Sequence, residues 1–267
     1  MITSMANSKV KRLAALAQKA KMRREEQCFV VEGIRMFREA PADWIREVYV
    51  SESFLQKHRR ELPDSQPYEI LSDVVFQKAS DTQTPQGVLC VLSVPHYELS
   101  ERLEAWCTDT ERAPLLMLLE DLQDPGNVGT ILRAGEGAGV DGVILTRQTA
   151  DILNPKVIRA TMGSIYRVPF FIVDFLTDTI DLLKEKGMTV YAAHLDDSVA
   201  YDVPDYTRPT AFLIGNEGNG LRRETAARAS QYIKIPMAGQ VESLNAAMAS
   251  AILMYEAARQ RRMHTNI

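Results

Sequence analysis

The run GNEGNGLRRE, residues 215–224, sets three glycines among two amides and a carboxylate, directly after the apolar stretch TAFLI. Glycine at that density frees the backbone, either for positive φ or for close approach of another group to the main chain. The loop lacks the Gly-Lys-Ser/Thr ending of a phosphate-binding loop, and Glu217 stands where phosphate would be repelled. A neutral or cationic ligand tolerates that carboxylate. A second cluster, Gly137, Gly139 and Gly142, fits the G-x-G-x-x-G spacing of a dinucleotide fingerprint. That fingerprint needs a strand before it and a helix after it, so that pyrophosphate meets a helix N-terminus; here a helical pattern precedes and the strand pattern GVILT follows. Cys28, Cys90 and Cys107 are widely spaced with no CxxC, and the four histidines have no ligand spacing. Neither a disulfide framework nor a metal site is expected.

These loops need strands and helices to hold them. From Leu115 onward, strand patterns in LLMLLED, GVILT, VYAAHLD, TAFLIG and YIKIPM alternate with helical stretches such as NVGTILRAGEGAG, NPKVIRATMG, DTIDLLKEKG and RRETAARAS. That alternation predicts a mostly parallel sheet with helices on both faces and ligands at the carboxyl ends of its strands. An alanine-rich helix, SLNAAMASAILMYEAARQRR, closes the chain. Residues 27–94 read as a smaller α/β unit. The predicted organisation is an N-terminal domain over 1–98, a linker or linking helix over 99–113, and a second domain over 114–267.

The chain of 267 residues carries a net charge of -4. Nine basic residues against three acids between Met1 and Arg38 nevertheless leave that stretch at +6. In SKVKRLAALAQKAKMRREE, Val10, Leu13, Leu16 and Ala17 recur at helical spacing while lysines and arginines take the other side, a pattern open to a polyanion partner or to a merely solvated face. Apolar runs fall short of the ~20 residues of a membrane helix and no secretory signal is evident, so a cytoplasmic protein is expected.

Three loops, EDLQDPGNVGTILRAGEGAG, LIGNEGNGLRRE and IKIPMAGQVESLNAAMASA, resemble in order and spacing the three motifs of the SpoU (TrmH) family of RNA ribose 2'-O-methyltransferases, within the SPOUT superfamily. The resemblance covers about Leu115 to Arg262; the N-terminal segment is similar to the family's substrate-binding domain. It implies a deep trefoil knot in the C-terminal domain, an S-adenosylmethionine (AdoMet) site within the knot, a homodimer through the knotted domains, and an active site drawing on both chains. The small Asn245, Ala246, Ala247, Ala249, Ser250 and Ala251 keep the last helix slim enough for such packing, as they would in any buried alanine-rich helix.

By position in the motifs, Gly215, Ile235 and Leu244 contact the cofactor through main-chain atoms, with Leu195 and Met237 nearby. Asn127 and Arg133 lie six apart on the first motif's loop and helix, and in the family such an arginine is placed at the target ribose and phosphate and is often proposed as the base. Arginine is a poor proton acceptor, so Arg133 is read as holding phosphate and orienting the hydroxyl. Glu217 could accept the proton or stabilise the sulfonium. Asn245 and Ser243 could orient donor and acceptor, Ser243 alternatively serving as the N-cap of the last helix. RNA binding is assigned to Lys9, Lys11, Arg12, Lys21, Arg23 and Arg24. The expected substrate is RNA, with rRNA ahead of tRNA because of the extra domain; a non-catalytic RNA-binding protein and a nucleotide-dependent enzyme are the rival classes.

Overall fold

A computed structural model describes residues 1–109, 112–195 and 197–265. The chain divides into two compact units, Met1–His96 with Asp151–Tyr166, and Tyr97–Ala150 with Arg167–Ile267. Residues 110 and 111 of the stretch read as a linker lie outside the described residues; its preceding part forms a helix of the second unit.

In the first unit the basic stretch is two helices rather than one, α1 (Ser8–Gln18) and α2 (Ala20–Glu26), broken at the extended Lys19. Val10, Leu13, Leu16 and Ala17 are all buried, as their spacing requires. There follow β1 (Cys28–Glu32), α3 (Ile34–Glu39), β2 (Ile45–Ser51), α4 (Glu52–His58), β3 (Glu69–Leu71), α5 (Asp73–Ala79) and β4 (Val88–Ser93). Among the described residues the sheet runs β1-β4-β2-β3, with β4 antiparallel to both neighbours and β3 parallel to β2. Val10, Leu13 and Leu16 pack with Val30, Tyr49, Phe76 and Val91 to form its core.

The basic residues assigned to RNA divide sharply here, and one assignment is corrected. Arg23 is only 2% exposed. Its guanidinium donates to Asp151 at 2.5 and 3.0 Å and to the carbonyls of Leu16 and Ala17 at 2.6 and 3.1 Å, so it ties α1 and α2 to the segment beginning at Asp151 and cannot meet phosphate. Arg12 is engaged by Glu26 at 2.6 Å and Glu47 at 2.7 Å, and Lys9 pairs with Glu69. Lys11 and Arg24 remain exposed, without a side-chain partner among the described residues, and Lys21 makes a loose pair with Glu25 one turn on.

The second unit contains α6 (Leu99–Thr108), β5 (Leu115–Leu119), α7 (Pro125–Ala138) and β6 (Gly142–Thr146). The chain then supplies α8 (Pro155–Thr161) to the first unit. It resumes as β7 (Phe170–Val173), α9 (Leu176–Glu185), β8 (Thr189–Ala193), β9 (Val199–Ala200), β10 (Thr210–Ile214), α10 (Arg223–Ala226), β11 (Gln231–Lys234) and α11 (Ala246–Thr265). Among the described residues seven strands form one sheet in the order β7-β6-β5-β10-β8-β11-β9, parallel throughout. Period-two alternation sends Leu116, Leu118, Ala211 and Leu213 to the side packed by Leu103 of α6 and Ile180 and Leu183 of α9. On the other side α11 packs against α7 and β10.

Two strands absent from the sequence reading, β7 and β9, are the sheet's edges; β9 is only two half-buried residues, whereas β7, FFIV, carries a plain apolar signal that the reading passed over. Arg261 of α11 donates to the carbonyls of Ala113, Pro114, Tyr206 and Arg208, and burial pushes its pKa down to about 10. No helix among the described residues is long and apolar enough to cross a membrane.

The Arg23 assignment makes a direct prediction. Arg23→Ala should destabilise the protein by about 3 kcal/mol, because it strips the partly buried Asp151 carboxylate and two carbonyls of a buried, charged donor. Urea denaturation measures this, and a loss below about 1 kcal/mol would show that the side chain is dispensable to the fold.

Candidate cofactor and active site

β8, β10 and β11 end side by side, and the segments that follow them enclose a cavity of about 520 Å³. The loop after β10 contributes Gly215 to Leu221, the segment after β8 contributes His194 and Leu195, and the segment between β11 and α11 contributes Ile235, Met237, Ser243, Leu244 and Asn245. All five residues assigned to the cofactor, Leu195, Gly215, Ile235, Met237 and Leu244, line this one space.

The three glycines of the opening loop have three different situations. A Cβ on Gly215 would lie 2.3 Å from the carbonyl carbon of Gly220 and 2.4 Å from the nitrogen of Leu221, so the chain folds back on itself there at a distance no side chain allows. Gly220 has open space but a φ of +68°. Gly218 shows neither constraint. The turn is closed by reciprocal backbone bonds between Asn216 and Gly220 at 3.0 and 2.9 Å, and by the Asn216 side chain, which accepts from the N–H groups of Gly218 and Asn219 and donates to the carbonyl of Asp121.

A chain of side-chain hydrogen bonds joins the three motifs. Asn245 Nδ2 donates to Asn127 Oδ1 at 2.9 Å, and Asn127 Nδ2 donates to Glu217 Oε1 at 2.8 Å. Glu217 also accepts from the main-chain N–H groups of Gln123 at 3.0 Å and Asp124 at 3.2 Å. Burial pushes the Glu217 carboxyl upward, but the bonds from Gln123, Asn127 and Asp124 outweigh it and hold the group below the usual carboxylate range. Its pairing is therefore complete at neutral pH and is lost only as pH falls through that lowered value. Both oxygens are spoken for, which makes Glu217 a fastener between two loops and a weak candidate for accepting a proton.

Asn127 stands on the first turn of α7, where Asp124 caps the helix by accepting from Gly126 and Pro125 follows at the first helical position. Arg133, six residues on, points about 120° away around the same helix. It is exposed, has no hydrogen bond or ion pair among the described residues, and does not line the cavity of its own chain. Ser243 lines the cavity but is not the cap of α11, which corrects that alternative. Asn245 caps the helix, its Oδ1 accepting from Ala247 at 2.9 Å and Met248 at 3.2 Å. The fingerprint-like glycines lie where sequence order put them, with Gly139 the left-handed C-cap of α7 and Gly142 the first residue of β6.

Sequence reasoning overlooked Glu120, Asp121, Asn216 and Arg222. Glu120 is 1% exposed and accepts from the Arg222 N–H and the Thr225 hydroxyl; Asp121, at φ +54°, pairs with the Arg222 guanidinium. Two acids closing an otherwise apolar strand, as in LLMLLED, were the available signal.

A parallel α/β sheet with a ligand-sized cavity at its strand ends defines a cofactor-binding catalytic domain, here carried beside a separate α/β unit. The chain belongs to the SpoU family of RNA ribose 2'-O-methyltransferases, which use AdoMet: residues 114–255 match the SpoU rRNA methylase family, and residues 7–90 match the MRM3-like substrate-binding domain. It is 32% identical over 259 residues to the 23S rRNA (guanosine(2553)-2'-O)-methyltransferase RlmP of Bacillus subtilis, covering 95% of this chain and 97% of that one. The crystal structure of an AdoMet-bound rRNA methyltransferase from Sinorhizobium meliloti superposes with a TM-score of 0.83 at 30% identity, over 97% of both chains. The AdoMet complex of the SpoU methyltransferase AviRb from Streptomyces viridochromogenes, at 24% identity, shares the fold with a TM-score of 0.82 over 96% of this chain and all of that one.

The residues present fit AdoMet. Ile214, Ile233 and Leu253 give the cavity apolar walls, and Glu217 and Glu242 supply negative charge for a cation. Residues 235–244 make no backbone–backbone hydrogen bond among the described residues, which leaves their N–H and carbonyl groups available to a ligand. No cluster of side chains able to hold a metal ion occurs among the described residues.

The glycine geometry separates two substitutions. Gly215→Ala should abolish AdoMet binding in a folded protein, whereas Gly220→Ala, which meets only the roughly 1–2 kcal/mol cost of positive φ, should weaken it no more than about tenfold. Calorimetric titration with AdoMet reads both, and equal affinities in the two variants would refute this account of the loop.

Proposed function

We propose that this chain is a homodimeric, cytoplasmic AdoMet-dependent enzyme that methylates a ribose 2'-hydroxyl in 23S rRNA. The observation that carries the reaction is the Asn245–Asn127–Glu217 chain, which draws all three motifs to the rim of one cavity. The end-to-end likeness to a 23S rRNA enzyme, with a substrate-binding domain included, favours rRNA over tRNA. A non-catalytic RNA-binding role is disfavoured because Asn127, Arg133, Glu217, Ser243 and Asn245 are all present.

In this reading the main chain around Gly215, Ile235 and Leu244 holds the cofactor, with Leu195 and Met237 against it. Bound AdoMet supplies a methyl group made electrophilic by its sulfonium. Glu217 and Asn127 position the loops, Asn245 and Ser243 orient the reacting groups, and Arg133 binds the phosphate and orients the 2'-hydroxyl of the target. Because Arg133 faces away from its own cavity, it serves the site of a second chain. Met248, Tyr255 and Met263, at 58, 49 and 60% exposure, form an apolar stripe along α11 that suits a dimer contact. The path from β11 through residues 235–245 into α11 is the segment that a trefoil knot would thread. Of the residues assigned to RNA, Lys11 and Arg24, assisted by Lys21, are those exposed and available to meet it.

Arg133→Ala should lower turnover by about a hundredfold or more with AdoMet affinity unchanged, as for loss of an oriented charged donor. Mixing it with the binding-defective Gly215→Ala should restore roughly a quarter of the wild-type rate through heterodimers with one intact site. No recovery on mixing, with subunit exchange confirmed, would place Arg133 in its own chain's site. Replacing Lys11 and Arg24 by alanine should flatten the dependence of log RNA affinity on log salt by about 0.7–0.9 per lost contact, and an unaltered slope would remove these residues from the interface.

A further inference from the structure

The turn Asn216–Gly220 is a partition with a concavity on either side. On one side lies the cofactor cavity. On the other is a recess of about 410 Å³ lined by Asp121, Gln123, Gln148 and Arg222, with Asn216, Asn219, Gly220 and Leu221 facing both spaces. It opens at the strand ends of β5, β6 and β10, where the sheet's ligands belong.

Its walls are fixed. Gln123 Nε2 donates to the carbonyls of Asp121 and Gln148, each at 2.9 Å, and Asn216 Nδ2 donates to the Asp121 carbonyl at 2.8 Å. The Arg222 guanidinium is anchored on Asp121, and its main-chain N–H on Glu120. Within this frame the side-chain amides of Gln148 and Asn219 are exposed and have no hydrogen-bond partner among the described residues. They offer donors and acceptors together, in a recess where the positive Arg222 is already matched by Asp121 and where no lysine is present. Such a lining is poorly made for phosphate and well made for a neutral group that presents both donors and acceptors on one planar edge.

We propose that this recess holds a nucleobase of the substrate RNA, with Gln148 and Asn219 reading its edge. The proposal rests on the RNA methyltransferase reading and extends it, because it assigns base recognition to the catalytic unit. A base seated there is separated from the cofactor only by a five-residue turn, so its ribose lies at the rim of the neighbouring cavity. Gln148 is the decisive residue, since it lines the recess and not the cofactor cavity.

The test uses the full-length protein with in vitro transcribed 23S rRNA, with Gln148→Ala to remove the amide and Gln148→Glu to keep its shape without its donors. Affinity for the transcript, measured without AdoMet, should fall about tenfold in each variant, the effect of losing a base-edge contact. The salt slope of RNA binding and the Kd for AdoMet should stay at wild-type values. Mapping of 2'-O-methyl positions should show methylation spreading to additional nucleotides. Unchanged RNA affinity and unchanged methylation sites would overturn the proposal, and a reduced salt slope would overturn it in favour of a phosphate contact. Failure of the 23S rRNA reading looks different: the wild-type protein would then bind AdoMet but leave the transcript unmethylated. The RNA-affinity comparison would still decide the recess.

Discussion

Asn127 spends both ends of its side-chain amide on other loops. Its oxygen accepts a hydrogen bond from Asn245, 118 residues away in sequence, and its nitrogen donates one to Glu217, 90 residues away. An amide suits this, since an ionised carboxylate has nothing to donate and a hydroxyl presents donor and acceptor at a single atom. Asn127 is 7% exposed, so both ends must be satisfied, and the position of each loop is set by the other two. Glu217 completes the arrangement by accepting main-chain N–H groups at the start of α7, where the positive end of the helix favours an anion. The carboxylate that looks catalytic in sequence thereby also fastens two loops together.

The cavity follows from that arrangement. The turn after β10 comes close enough to itself at Gly215 to leave room for a ligand beside it, and the segment after β11 crosses the strand ends without backbone pairing of its own. Asn245 ends that segment and begins α11, so one residue both closes the hydrogen-bond chain and caps the helix. Small residues then allow α11 to settle on α7. A Cβ on Gly135 would come within 3.5 Å of Met254, and Ala246, Ala247, Ser250 and Ala257 are buried along the same helix. The hydroxyl of Ser250 is satisfied by the carbonyl of Ala246 one turn back, which lets a polar residue sit in that contact.

Charge obeys a similar economy. The basic surplus at the N-terminus is a property of the linear chain, while in the folded first unit several of its members face carboxylates brought from β2, β3 and the segment after β6. Arg12 meets Glu47, Lys9 meets Glu69 and Arg23 meets Asp151. The charge left exposed and without an acidic partner among the described residues, Lys11 and Arg24 included, is narrower than the local count suggests.

The alternation of apolar strands with amphipathic helices was legible in the sequence because burial on both faces of a parallel sheet demands continuous apolar runs, and β5, β6, β8 and β10 carry them. The three motif loops were legible because glycine, proline and amides at fixed spacing constrain a backbone locally. Of the edge strands, β9 was not, since two half-buried residues make no pattern, whereas β7, FFIV, carried an apolar run that the reading passed over. Partnership was hidden for a different reason: a side chain's type states what bonds it can make but not which residue, far along the chain, arrives to make them. Arg23 and Lys11 are the same kind of charge on the same short stretch, and only the packing of Asp151 beside one of them makes it structural. The partners of Glu217 were hidden, and Asn216 and Arg222 were overlooked, on the same ground, because these contacts were decided when β5 and β10 paired and brought Asp121, Gln123 and Asn127 within hydrogen-bonding distance.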